Sequence, residues 1–167
     1  MRHHVRRAAS AIMITLCCIA GLTLTTGQAG AAAAPSKPLK TTFGTVLTKI
    51  DDSKASAALP ETIYCGGYVT NPYQAGGAVR VDIHGDCTSV VDNIYLSPAL
   101  YYSNGVNVAE RPKNFPSTAV ADHFAVTNCL GINLEYFGYG VAIFTKAGYA
   151  GSPLVLAGQT PNVTIFC

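Results

Sequence analysis

The sequence has no tryptophan, and only 12% of its residues are charged. Without tryptophan, a carbohydrate site built on indole stacking loses its usual platform. No C-x-x-C pair occurs, which argues against a structural zinc site. No G-x-S-x-G elbow is present for a hydrolase nucleophile. Neither a glycine-rich phosphate loop opening a helix nor a dinucleotide fingerprint can be found. Basic residues form no cluster beyond the extreme N-terminus, so a nucleic-acid footprint is missing as well. There is no clear internal repeat.

What is there begins with three zones. Residues 1–7 are short and basic, with Arg2, Arg6 and Arg7. Residues 8–24 are apolar, and residues 25–34 are rich in small side chains. A positive end, a short apolar core and an A-x-A site form a secretory signal pattern, here with Ala29-Gly30-Ala31 as the preferred cleavage site. The apolar core is short for a membrane span, which needs roughly 20 apolar residues. Cys17 and Cys18 lie inside that core, and Leu16 before Cys17 argues against lipidation. The expected organisation is a signal peptide over 1–31, a flexible lead-in over 32–60 and one disulfide-stapled domain over 61–167. Within the lead-in, Phe43-Gly44-Thr45-Val46-Leu47 stands out as a possible short strand. The predicted location is extracellular.

Export changes the charge. The whole chain carries 11 Lys and Arg against 9 Asp and Glu, net +2. Loss of Arg2, Arg6 and Arg7 leaves 8 against 9, net −1. It also leaves four cysteines, Cys65, Cys87, Cys129 and Cys167, an even number that reads as disulfides in an exported chain.

From residue 61 onward, short β-rich runs alternate with turn signals, the spacing of an all-β sandwich or barrel. Ile63, Cys65, Gly67 and Val69 alternate with Thr62, Tyr64, Gly66 and Tyr68. In 78–87, Val79, Val81 and Ile83 face one way while Arg80, Asp82, His84 and Asp86 face the other, a half-buried strand. Ile94, Leu96 and Leu100 share a face interrupted by Pro98, which suggests a sheet edge or a bulge. Ser103-Asn104-Gly105 predicts a hairpin turn, with Val106 and Val108 in the return strand. Runs at 119–129 and 134–144 have apolar residues at both parities, and 162–167 closes the domain. About seven strands result, which fits an Ig-like antiparallel β-sandwich.

This strand order suggests the bridges. A first hairpin about 74–78 sets Cys65 opposite Cys87, and a closing three-strand meander brings Cys129 to Cys167. Cys65–Cys87 with Cys129–Cys167 is one of three possible pairings, and each bridge is worth about 3 kcal/mol.

The order of Cys65, Gly77-Ala78-Val79-Arg80-Val81, Cys87, Leu100-Tyr101-Tyr102-Ser103-Asn104-Gly105-Val106-Asn107-Val108-Ala109, Cys129, Gly148-Tyr149 and Val163-Thr164-Ile165-Phe166-Cys167 resembles a group of small secreted four-cysteine proteins of actinobacteria. The resemblance covers residues 63–167 and implies fold and export, with no activity attached. Separately, Phe144-x4-Tyr149-x-Gly151 resembles the aromatic-glycine corner of βγ-crystallin Greek keys, a fold to which some secreted protease inhibitors are similar. That motif occurs once, where the fold uses a pair.

Few residues suggest chemistry. Asp82, His84 and Asp86 alternate on one strand face and could converge on a transition metal, although a polar strand face is equally the solvated side. Asp122 and His123 are neighbours on a strand and so point to opposite faces, which does not suit a triad. Glu110 and Glu135 are lone carboxylates with no supporting motif. All nine tyrosines lie in the exported part, and Tyr64, Tyr68, Tyr95 and Tyr101 fall on outward faces. Outward tyrosine suits an interface, and it is also a good strand former. The expectation is a non-catalytic, cofactor-free module that binds a protein or cell-envelope ligand, with neither nucleic acid nor membrane as partner. The alternatives are a protease inhibitor presenting 71–77 or 111–117 as its loop and, further off, a small hydrolase.

Overall fold

The computed structural model describes residues 38–50 and 61–166. The expected signal peptide and its cleavage site lie outside the described residues. Ten strands follow in chain order: β1 Lys40–Lys49, β2 Thr62–Thr70, β3 Tyr73–Ala75, β4 Ala78–Tyr102, β5 Asn107–Glu110, β6 Lys113–Asn128, β7 Leu134–Thr145, β8 Tyr149–Ala150, β9 Leu154–Gln159 and β10 Val163–Ile165. All pairings are antiparallel and join one curled sheet, with no helix among the described residues.

β4 organises the fold. Its 25 residues would extend about 80 Å if straight, far beyond an ordinary strand. Its first half pairs with β2, and its second half pairs with β7. β6 runs along the other edge of both halves. Between Asp86 and Val91 the register shifts: β4 advances five residues while β6 moves only from Val120 to Thr118. Such surplus chain bends a strand and sharpens its twist, and here it carries β4 from one partner to the other. Ser117, with φ 50°, lies beside this corner.

The core follows the strand alternation. Val79, Val81, Ile83 and Cys87 point inward from the first half of β4, and Ile94, Leu96 and Leu100 from the second. β7 sends Tyr136, Ala142 and Phe144 inward. Gly138 and Gly140 complete that face because there is no room for more. A Cβ on Gly138 would sit 2.6 Å from Val81 Cγ2, and one on Gly140 would sit 2.8 Å from Ile83 Cδ1. The two halves of the sheet thus pack against each other through bare backbone. The outer parity of β7 is also apolar and half-buried, which is why the sequence pattern left its buried face open.

Cys65 and Cys87 are register partners of β2 and β4 and form a disulfide, as the hairpin reading expects. Cys129 is disulfide-bonded too, but its expected partner Cys167 lies outside the described residues.

Several expectations change. Among the described residues the strands number ten, and the run at 78–87 and the run carrying Ile94, Leu96 and Leu100 are one strand. The expected lead-in contains β1, a full strand in register with β2 from Lys40↔Thr70 to Thr48↔Thr62, so the folded domain extends upstream of residue 61. The closing meander is absent: β6 and β7 flank β4 on opposite edges, and β10 pairs with β7. Pro98 is buried inside β4 rather than at an edge. β6 pairing ends at Leu96 and β5 pairing begins at Ala99, so Pro98 falls in the gap between them, and its carbonyl accepts the Arg111 N–H. In the 102–105 turn only Gly105 has positive φ, 86°, and the Asn104 side chain accepts the Val106 N–H. Within the two expected inhibitor loops, residues 73–75 are β3, closed onto β4 by a Gly76-Gly77 turn, and residues 113–116 pair with β4.

Candidate ligand-binding cleft

The outward face of the first half of β4 forms the floor of a cleft of about 880 Å³. Strand alternation sets Arg80, Asp82 and His84 in a row on this floor. β2 contributes Tyr68 opposite His84, and β6 contributes Asp122 opposite His84 and Phe124 opposite Asp82. Lys40 enters from β1, Tyr73 from β3, and Arg111 and Lys113 from the start of the β6 arm.

Asp82 is the anchor. Its Oδ1 accepts a 2.6 Å hydrogen bond from Arg80 Nε, and Arg80 Nη2 lies 2.6 Å from the same oxygen. Tyr73 donates its hydroxyl to Oδ2. The Asp82 N–H donates to Thr70 Oγ1 at 2.9 Å, so a buried threonine side chain extends the β2–β4 ladder past its last register pair, Val69↔Ile83. Burial, then the hydrogen bond and charge of Asp82, push the Tyr73 phenol up to about 12, partly opposed by Arg80. Tyr73 is therefore a neutral donor throughout the physiological range.

The second knot is His84. Its Nδ1 lies 2.7 Å from Asp122 Oδ1, and its ring stacks on Tyr68 with centroids 5.0 Å apart. Asp86 is 3.7 Å from Nε2, beyond hydrogen-bond range. Lys40 Nζ lies 3.5 Å from the Tyr68 centroid, and the Arg80 and Arg111 guanidinium carbons lie 4.0 and 5.0 Å from the centroid of Phe124. Lys113 Nζ is 4.8 Å from the Phe115 centroid. Cations above ring faces are attracted by the ring quadrupole, by about 0.5–1 kcal/mol when exposed. Burial, then Lys113 and Arg111, hold His123 below the usual histidine range, partly offset by a hydrogen bond to the Arg111 backbone.

The residues singled out in the sequence are partly gathered here. Asp82, His84 and Asp86 do share an outward face, but Asp82 is turned to Arg80 and Tyr73, and the three do not meet at one point. Among the described residues no three His, Cys, Asp or Glu side chains form a metal-holding group. Of the four outward tyrosines, only Tyr68 belongs to the cleft. Tyr64, 59% exposed, borders a shallower depression with Gly44, Asp86 and Thr88. Tyr95 and Tyr101 lie beyond the corner of β4, where Tyr101 stacks on Phe137 with centroids 5.1 Å apart. Asp122 bonds to His84 and leaves His123 alone, as adjacent positions on a strand require. Tyr73, Arg111 and Lys113 fall in the segments 71–77 and 111–117 named as inhibitor loops, while Lys40 and Phe124 were not foreseen. Their only early signal is the outward parity of Arg80 and Asp82, to which the others converge from four separate segments.

No family model matches the chain, and no curated protein or solved structure matches it significantly.

Proposed function

We propose that this chain is an exported, non-catalytic binding module whose ligand site is the cleft on β2, β4 and β6. One observation carries the reading. The cleft's polar side chains are pre-set by one another: Asp82 is held by Arg80 and Tyr73, and His84 by Asp122 and Tyr68. A site ordered before its ligand arrives loses less entropy on binding. Its size also lies in the range of small-ligand sites. The non-catalytic part of the proposal takes the polar groups of the cleft as holding groups, with His84 engaged by Asp122 and Tyr68. Export is supported by the N-terminal zones, by the disulfide and by the resemblance to secreted four-cysteine proteins.

The test is co-sedimentation of the purified, oxidised protein with cell-wall material, chitin and cellulose. Saturable binding that Tyr68→Ala and His84→Ala abolish, while Tyr95→Ala and Tyr101→Ala leave it intact, is the expected result. Loss confined to the Tyr95 and Tyr101 variants would move the site to the other half of the sheet.

A further inference from the structure

The described residues contain six Lys and Arg: Lys40, Lys49, Arg80, Arg111, Lys113 and Lys146. Four of them line this one cleft. Seven carboxylates are spread over the same residues (Glu61, Asp82, Asp86, Asp92, Glu110, Asp122 and Glu135), so the clustering is not an effect of overall charge. Arg80 is neutralised by Asp82. Lys40, Arg111 and Lys113 have no carboxylate partner among the described residues; each sits instead beside an aromatic ring.

We infer that the cleft binds a chain bearing repeated single negative charges: the carboxylates of an acidic sugar polymer or the phosphodiesters of a polyol-phosphate polymer. This rests on the cleft being the ligand site and adds what the ligand must be.

Three features select that chemistry. First, the rings are already in use. Tyr68 carries both the His84 imidazole and the Lys40 ammonium, and Phe124 carries two guanidiniums. Little π surface is left to stack on a neutral sugar or a nucleobase, whereas the N–H donors they hold are available. Second, the free cations sit on opposite sides of the floor. Lys40 is held over Tyr68 of β2 and Arg111 over Phe124 of β6, the strands on either edge of β4, two strand spacings or about 10 Å apart at the usual inter-strand distance. One small anion cannot bridge that span, and a chain can. Third, Asp122 lines the same cleft beside His84, so a compact, multiply charged anion there is repelled while separated single charges are accepted. The depressed His123 proton affinity agrees, since Lys113 and Arg111 are among its causes.

The test is a titration of the oxidised protein with hexagalacturonate, a glycerol-phosphate hexamer, monomeric galacturonate, neutral maltohexaose and single-stranded oligothymidylate. At low salt at least one anionic hexamer should bind at least about tenfold tighter than the monomer, as added charge-assisted hydrogen bonds allow. Salt should weaken it, because screening at 0.1 M sets in over about 10 Å. Which hexamer binds names the source of the charge. Arg111→Ala with Lys113→Ala should cost about tenfold, and Lys40→Ala about threefold, the range of exposed charge contacts. Lys49→Ala should change nothing. Lys40, Arg111 and Lys113 are exposed and Lys49 is half-buried, so the variants should keep the parent circular dichroism. Equal binding of maltohexaose, insensitive to salt, would leave the cleft a ligand site and overturn its anion chemistry. Hexamers no tighter than the monomer would overturn bridging, and tighter oligothymidylate would overturn the claim that the rings are occupied. No binding by any probe, together with no retention on envelope material, would remove the binding-module reading as well.

Discussion

The two halves of β4 share one rule on the inside and follow opposite rules on the outside. Inward, both send aliphatic side chains into a closed core, from Val79 to Ile83 and from Ile94 to Leu100. Outward, the first half carries Arg80, Asp82 and His84, tied by side-chain hydrogen bonds to β3 and β6. The second half carries Tyr95 and Tyr101, with the buried Ser97 and Ala99 between them, beside Phe137, Tyr139, Val141 and Ile143 of β7, none of which is charged. The fold is therefore indifferent to what covers its outer faces. A strand needs only one apolar parity to be placed, and the other is free for recognition. That is why function is sought on the polar half.

The largest expected effect breaks the polar half alone. A Cβ on Gly67 would run into the His84 carbonyl oxygen, a backbone atom that no rotamer change can move away. Gly67→Ala should cost about 3 kcal/mol or more in urea unfolding, at the upper end for overpacking. It should also shift the His84 ring resonances. Next, removal of the disulfide with Cys65→Ala and Cys87→Ala should cost about 3 kcal/mol, from the wider unfolded ensemble of a chain closed over a separation of 22 residues. Hydrogen exchange should then rise first at the β2–β4 ladder, and uniform loosening of both halves would contradict the division.

Smaller effects separate the two outer faces further. Tyr73→Phe deletes a hydrogen bond to a charged carboxylate and should cost about 1.5 kcal/mol. Because the folded phenol is raised to about 12, its contribution is complete below about pH 10, the unfolded value, and is lost as pH climbs towards 12. Tyrosinate absorbance at 295 nm should show one late-titrating group in the parent that Tyr73→Phe removes. The smallest effect lies outside the cleft, next to the second half. The Ala147 N–H, aided by Lys146, holds the Asp92 carboxyl below the ordinary range. Asp92→Asn should cost no more than about 1 kcal/mol. The loss should be present above the unfolded carboxyl value near 4 and should vanish as pH falls through the lower folded value. A cost that persisted at acid pH would mean that the carboxylate charge is not what matters there.

What was legible in the sequence was local. The alternation in 78–87 identified both faces of the cleft strand, and the Cys65–Cys87 bridge followed from a hairpin register. Long-range partnership was not legible. Of β1 only 43–47 was legible, because apart from Leu47 its side chains are exposed or only partly covered, so its full length comes from a backbone ladder with β2 that leaves little hydrophobic signature. β6 and β7 follow each other in the chain, yet flank β4 on opposite edges, because β4 is long enough to offer both edges at once. The cationic cleft was hidden for the same reason. Positions 40, 80, 111 and 113 are no cluster in the chain, and only the strand order β1, β2, β4, β6 brings them together.

The central claim is that ligand meets the polar half and leaves the apolar half untouched. A titration of isotopically labelled protein with the anionic hexamers, followed by amide and side-chain resonances, tests it most directly. The account predicts shifts concentrated at Lys40, Tyr68, Asp82, Arg111 and Lys113, with His123 moving back towards the usual histidine range as bound anion offsets the nearby cations. Shifts centred instead on Phe137, Tyr139, Val141 and Val155 would contradict it and place recognition on the outer face of β7 and β9.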